Sequence, residues 1–187
     1  MNMKKFVSLM LIFAVLAALV KVGTDAVFRH FPIKYGGYIE RYAEEYGLDK
    51  FLVAGVIRAE SGFDNTAHSG LARGLMQMTD KTADWVAEQL GIDYDYDMAE
   101  DPEINIRMGC YYLAHLMEKY ENTDTALAAY NAGMGKVAEW LADENYSKNG
   151  RTLYEIPYKE TKNYVKRVNF LTGIYEGLYG RSETAWK

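Results

Sequence analysis

Glu60 closes the segment Asp49-Lys50-Phe51-Leu52-Val53-Ala54-Gly55-Val56-Ile57-Arg58-Ala59-Glu60, which reads as a buried helix. An acid at the end of such a segment narrows what the chain can be. The apolar run desolvates the carboxyl, and the negative end of the helix dipole opposes its charge, so both effects raise its pKa. A carboxyl that keeps its proton near neutral pH can act as a general acid.

The remaining pattern is helical. Helices are expected over Tyr38–Tyr46 ending at Gly47, Lys50–Ala59 capped by Asp49, and Lys81–Leu90 stopping at Gly91. Asp101-Pro102 opens another that runs to Tyr120, with proline at its first position. Short helices over Thr125–Tyr130 and Lys136–Ala142 are separated by glycines, and Lys159–Tyr175 places Tyr164, Val168, Leu171 and Tyr175 on one face. Only short stretches alternate, so any sheet is small. Asp80 is expected to cap the helix that follows it.

The N-terminus differs in kind. Lys4 and Lys5 precede an apolar run, Phe6 to Val20, broken only by Ser8. A basic flank and an apolar core mark an export signal. The run is short for a span, which needs about 20 residues, but Val22 and Gly23 extend it, and Thr24-Asp25-Ala26 is a poor cleavage site. The expected organisation is an uncleaved membrane anchor over residues 1–23, a juxtamembrane tether over 24–34, a folded domain over 35–180 and a C-terminal tail over 181–187. The lysines place the first residues in the cytoplasm and the domain outside, in the cell envelope. A cleaved signal and a secreted domain is the alternative.

Composition excludes several functions. Of 187 residues, 49% are hydrophobic, enough for one domain with a real core. A net charge of -5 argues against a nucleic-acid partner and against adsorption to an anionic polymer. The one cysteine, Cys110, lies among Ile106, Leu113, Leu116 and Tyr120 at helical spacing and reads as core. His30, His68 and His115 lack ligand spacing, so no zinc site is expected. Asp93-Tyr94-Asp95-Tyr96-Asp97 opens like a calcium loop, but Met98 and Ile104 occupy the required glycine and glutamate positions, which leaves an acidic surface loop.

After Glu60-Ser61 come Gly74-Leu75-Met76-Gln77, then Ala129-Tyr130-Asn131-Ala132-Gly133, then Ile156-Pro157 with Glu160-Thr161 and Tyr164-Val165. In this order and spacing the chain, from about Tyr35 to about Leu178, resembles the lytic transglycosylases of the lysozyme-like superfamily. The resemblance implies a mainly α, lysozyme-like single domain with at most a small sheet, preceded by the apolar helix. It implies Glu60 as the single catalytic acid/base, with Ser61, Ser69, Gln77, Tyr130, Asn131, Glu160 and Tyr164 as substrate-binding candidates, and no cofactor or metal. Ser61 either orients the carboxyl or caps the helix. Gln77 lines the cleft with Met76 packed beneath. Tyr130 positions Glu60 or stacks on a sugar, and Asn131 bonds backbone where the helix turns. Glu160 and Tyr164 close the cleft or serve as structural partners. Ser69 stands on Ser69-Gly70-Leu71-Ala72-Arg73, a loop one residue shorter than the family's Ser-Pro-x-Gly-Ala and lacking its proline; Asp80 stands where the family commonly has proline.

The implied reaction needs one carboxylate where ordinary glycosidases need two. Glu60 protonates the oxygen between N-acetylmuramic acid and N-acetylglucosamine of peptidoglycan, and the substrate's N-acetyl group stabilises the cation. Glu60 then takes the proton of the C6 hydroxyl, which attacks intramolecularly to give a 1,6-anhydro end. Two rivals remain open: a hydrolytic muramidase using Glu60 with Asp64 or Asp80, and a non-catalytic glycan-binding module of the envelope.

Overall fold

The computed structural model of the chain describes residues 3–181 and Trp186, without the side chains of residues 4–6, 8 and 9. The chain forms two units, Met1–Pro32 and Ile33–Lys187.

The first unit is one helix, α1 (Met3–His30). Residues 24–30, expected as tether, stay helical because the segment holds neither glycine nor proline. The helix stops just before Phe31-Pro32, where proline disfavours helical backbone at the preceding residue. Met10–His30, 21 residues, is long and apolar enough to cross a membrane, and none of it is buried. At about 1.5 Å per residue it matches a hydrocarbon core of about 30 Å.

The second unit is helical with a small sheet, as the sequence implies. α2 (Gly36–Glu45) ends at Gly47, whose φ of 67° lets the chain turn while Leu48 N–H donates to Ala43 O at 2.8 Å. α3 (Lys50–Glu60) starts where the Asp49 carboxylate accepts from Phe51 N–H at 2.8 Å. Leu52 through Ile57 and Ala59 are all buried.

The principal partner of α3 is α8 (Lys159–Tyr179). The two come close at Gly55, where a Cβ would stand 2.7 Å from Thr172 Oγ1. The last turn of α8 extends four residues beyond the expected Tyr175, burying Tyr179.

Three two-residue strands, β1 (His68–Ser69), β2 (Ala72–Arg73) and β3 (Met78–Thr79), pair antiparallel in that order, with Ala72 opposite both Ser69 and Thr79. α4 (Asp80–Leu90) follows at once. Its cap is Thr79 and not Asp80: the Thr79 hydroxyl accepts from Thr82 N–H at 3.3 Å. Asp80 becomes the first helical residue and faces Arg73 Nε at 3.7 Å. The acidic loop leads into a 3-10 turn (Tyr96–Glu100) capped by Asp95, and Tyr96 donates to Asp84 at 3.2 Å.

α5 (Pro102–Lys119) begins with Asp101 accepting from Ile104 N–H. Cys110 is fully buried within it, and burial pushes its thiol well above the ordinary range. α6 (Thr123–Ala132) starts two residues before the expected Thr125 because Asn122 caps it, and Gly133 separates it from α7 (Met134–Leu141).

Residues 182–185 and 187 of the expected tail lie outside the described residues, but Trp186 does not behave as tail. It is 1% exposed, its ring meets Phe51 edge-on at 5.4 Å, and its backbone occupies the space a Cβ on Gly36 would need.

Buried Asn105 holds the turn between β2 and β3. Its Oδ1 accepts from Met76 N–H at 2.8 Å and its Nδ2 donates to Ala99 O at 2.9 Å. Gly74, at φ 77°, sits against the same amide and Ala99 O so closely that a side chain has no room. Asn105→Ala strands a buried N–H and a buried carbonyl and should cost about 3 kcal/mol. Urea denaturation checks this, and a loss under about 1 kcal/mol would show that these bonds do not hold the turn.

Candidate active site

Glu60 is the last residue of α3, where the apolar helix emerges into a cleft. Burial pushes its carboxyl from 4.5 up to about 7, against the opposing pull of the Tyr164 hydroxyl and the Arg167 guanidinium. The cleft has a volume of about 340 Å³ and is lined by Ala59 and Glu60 from α3, Asn131 from α6, and Glu160, Asn163, Tyr164 and Arg167 from α8.

Two tyrosines approach the acid. Tyr164 is 8% exposed, and its hydroxyl comes near enough to Glu60 to favour the ionised acid, yet it has no partner at hydrogen-bonding distance. Tyr130 donates to the Met76 carbonyl at 2.7 Å and packs on Tyr112 at 5.5 Å between centroids. Burial, and then the charge of Glu60, hold both phenols well above their ordinary pKa, so both stay neutral. Met76 lies under this layer, fully buried, its side chain filling the space a Cβ on Gly109 would take.

The sequence candidates divide into two groups. Glu60, Asn131, Glu160 and Tyr164 share the cleft lining, with Tyr130 close by. Asn131 is exposed into the cleft, and no hydrogen bond from its side chain to backbone forms among the described residues, contrary to expectation. Ser61 ends α3: its hydroxyl donates to Ile57 O and accepts from Phe63 N–H, both at 3.2 Å. Ser69 and Gln77 bond to each other, the serine donating to Oε1 at 2.7 Å.

Gln77 carries an unusual backbone, φ 47°, in the left-handed region that costs a non-glycine residue about 1 kcal/mol or more. Its Nε2 donates to Ala67 O and Gly74 O, each at 2.9 Å, and so straps the strained turn. Its amide therefore serves the turn, and it is absent from the lining around Glu60.

Asn163 and Arg167 escaped the sequence reading. They lie three and seven residues after Glu160, on the helical face that also carries Tyr164. That spacing was the available signal.

Glu60 holds its proton more tightly in the folded chain than in the unfolded one. Between 4.5 and about 7 the folded state carries more protons, so stability is greatest below that window and falls as pH rises through it. The loss is at most about 3 kcal/mol, since the carboxyl keeps some contact with solvent. Glu60→Gln cannot ionise, so its Tm should match the parent's near pH 4 and exceed it near pH 8. A Tm difference that is the same at both pH values would refute the raised pKa.

The comparisons with known proteins agree with this geometry. The Transglycosylase SLT domain family matches residues 37–153. The soluble lytic murein transglycosylase of Salmonella typhimurium is 31% identical over 165 residues, covering 85% of this chain and 25% of that protein. The membrane-bound lytic murein transglycosylase F of Desulfosudis oleivorans is 37% identical over 110 residues, covering 54% of this chain and 22% of that protein. A solved structure of an inactive mutant of the lytic transglycosylase Slt from Pseudomonas aeruginosa superposes with a TM-score of 0.71 at 30% identity, over 83% of this chain and 26% of that one. The chain thus spans about a quarter of the length of these relatives. With the family match covering more than half of the chain and the fold agreeing, the chain belongs to the lytic transglycosylase family, as a Transglycosylase SLT domain of lysozyme-like fold.

Proposed function

We propose that the chain is a peptidoglycan lytic transglycosylase. It cleaves the β-1,4 bond between N-acetylmuramic acid and N-acetylglucosamine and leaves a 1,6-anhydromuramyl end. The observation that carries this is the Glu60 carboxyl, poised at about 7 in an open cleft. An acid near that value gives a proton to the glycosidic oxygen and, once ionised, takes one from the C6 hydroxyl. Arg167 and the Tyr164 hydroxyl favour its ionised form and so support the second half-step. Attack by a hydroxyl of the same sugar needs no positioned water, and proximity supplies the advantage.

A hydrolytic reading has one observation in its favour: Glu160 places a second carboxylate on the same cleft. The two acids named from sequence do not serve. Asp64 is held low by its bonds to Thr66, Asp80 faces Arg73, and neither lines the cleft. Mass spectrometry of the products separates the chemistries: digestion of purified sacculi should yield anhydromuramyl ends, and Glu60→Gln should lower the rate by at least a thousandfold, on the order expected for losing the acid in both steps. Reducing ends would establish hydrolysis, and activity within tenfold of the parent would remove Glu60 from the chemistry.

We further propose that α1 anchors the protein in the cytoplasmic membrane with the catalytic unit outside, where peptidoglycan is met. The span of 21 residues, apolar enough on average to cross a membrane, and the Lys4-Lys5 flank support it. The protein should remain with membranes through a carbonate wash. A mature form beginning after Ala26, free in the medium, would replace the anchor by a cleaved signal.

A further inference from the structure

Among the described residues, the lining of the cleft in this acidic chain holds one cation. Arg167 projects from α8 beside Glu60, near enough to act on both Glu60 and Tyr164, and its side chain is exposed. Its guanidinium makes no ion pair or hydrogen bond among the described residues. The other acid of the lining, Glu160, starts the same helix seven residues earlier, about 10 Å along the axis. Asn163 and Asn131 add two amides to the same lining.

A planar fork of donors that no acceptor among the described residues engages suits a carboxylate, which it binds with two parallel bonds. The substrate carries such a group close to the scissile bond. The muramyl ring whose C1 is attacked bears a lactyl arm on its O3, and that arm ends in a free carboxylate or continues into a stem peptide with carboxylates of its own. Resting on the transglycosylase reading above, we propose that Arg167 is a specificity-determining residue that binds a carboxylate of the muramyl lactyl arm or its stem. It thereby selects muramyl units at the cleavage position over the uncharged N-acetylglucosamine units that alternate with them.

Binding tests this without turnover. The full-length protein carrying Glu60→Gln, in detergent, is titrated with three muroglycan oligomers: stem-bearing, freed of stems so that the lactyl carboxylate is bare, and with all carboxylates converted to amides. Adding Arg167→Ala should weaken at least one carboxylate-bearing oligomer about tenfold or more and leave the amidated one unchanged. Arg167→Lys should recover part of the loss. Dependence on Arg167 with the bare oligomer assigns the lactyl carboxylate, and dependence confined to the stem-bearing one assigns the stem. Equal weakening of native and amidated oligomers, or no weakening of any, would overturn the proposal. Anhydro ends made by the parent enzyme would in that case still stand, so the two readings fail separately.

Discussion

The close approach of α3 and α8 at Gly55 is the constraint on which the site depends. With no side chain on α3 at that point, α8 comes within contact of the helix backbone through Thr172. This seals one flank of an apolar helix whose last residue is an acid. It also brings the Glu160–Arg167 face of α8 up to that acid. Packing and chemistry therefore share one cause: the burial that stabilises the helix pair is the burial that raises Glu60 to about 7. A looser helix pair would hydrate the carboxyl and return it to an ordinary acid.

The turn between β2 and β3 rests on polar contacts. Asn105 ties Met76 N–H to Ala99 O, Gln77 straps its own strained turn, and Tyr130 donates to the Met76 carbonyl. The turn Gly74–Gln77 is thus bonded from three directions, which fixes the buried Leu75 and Met76 without regular secondary structure. Such a network is costly to leave half-made, and it explains why a segment with only two-residue strands keeps a fixed course.

Much of this was legible in the sequence because the signals were local. Asp49, Asp101, Gly47 and Gly91 mark helix ends by chemistry that needs no distant partner, and Glu60 announces itself by the apolar run before it. Local signals also misled. Thr79 and Asp80 are both good caps, and only the backbone shows that the threonine takes the position. A stretch without breakers continued as helix to His30 where a tether was expected. The motif identified Gln77 but could not show that its amide is spent on Ala67, Gly74 and Ser69. Arg167 was hidden because an arginine on a helix is usually a solvated surface residue, and only the packing of α8 on α3 turns its face into the cleft.

Trp186 was the least legible residue, since its partners Gly36 and Phe51 lie at the other end of the domain sequence. Its burial has a topological consequence. The first residue of α2 and the last residue described in the domain touch, so the two described ends of the globular unit meet. The order of its helices is then a matter of where the chain is cut, not of what holds the helices together. A short glycine linker from Trp186 to Gly36 would close the polypeptide into a ring, which could be reopened in the exposed loop between α4 and the 3-10 turn to give a circular permutant with the cleft intact.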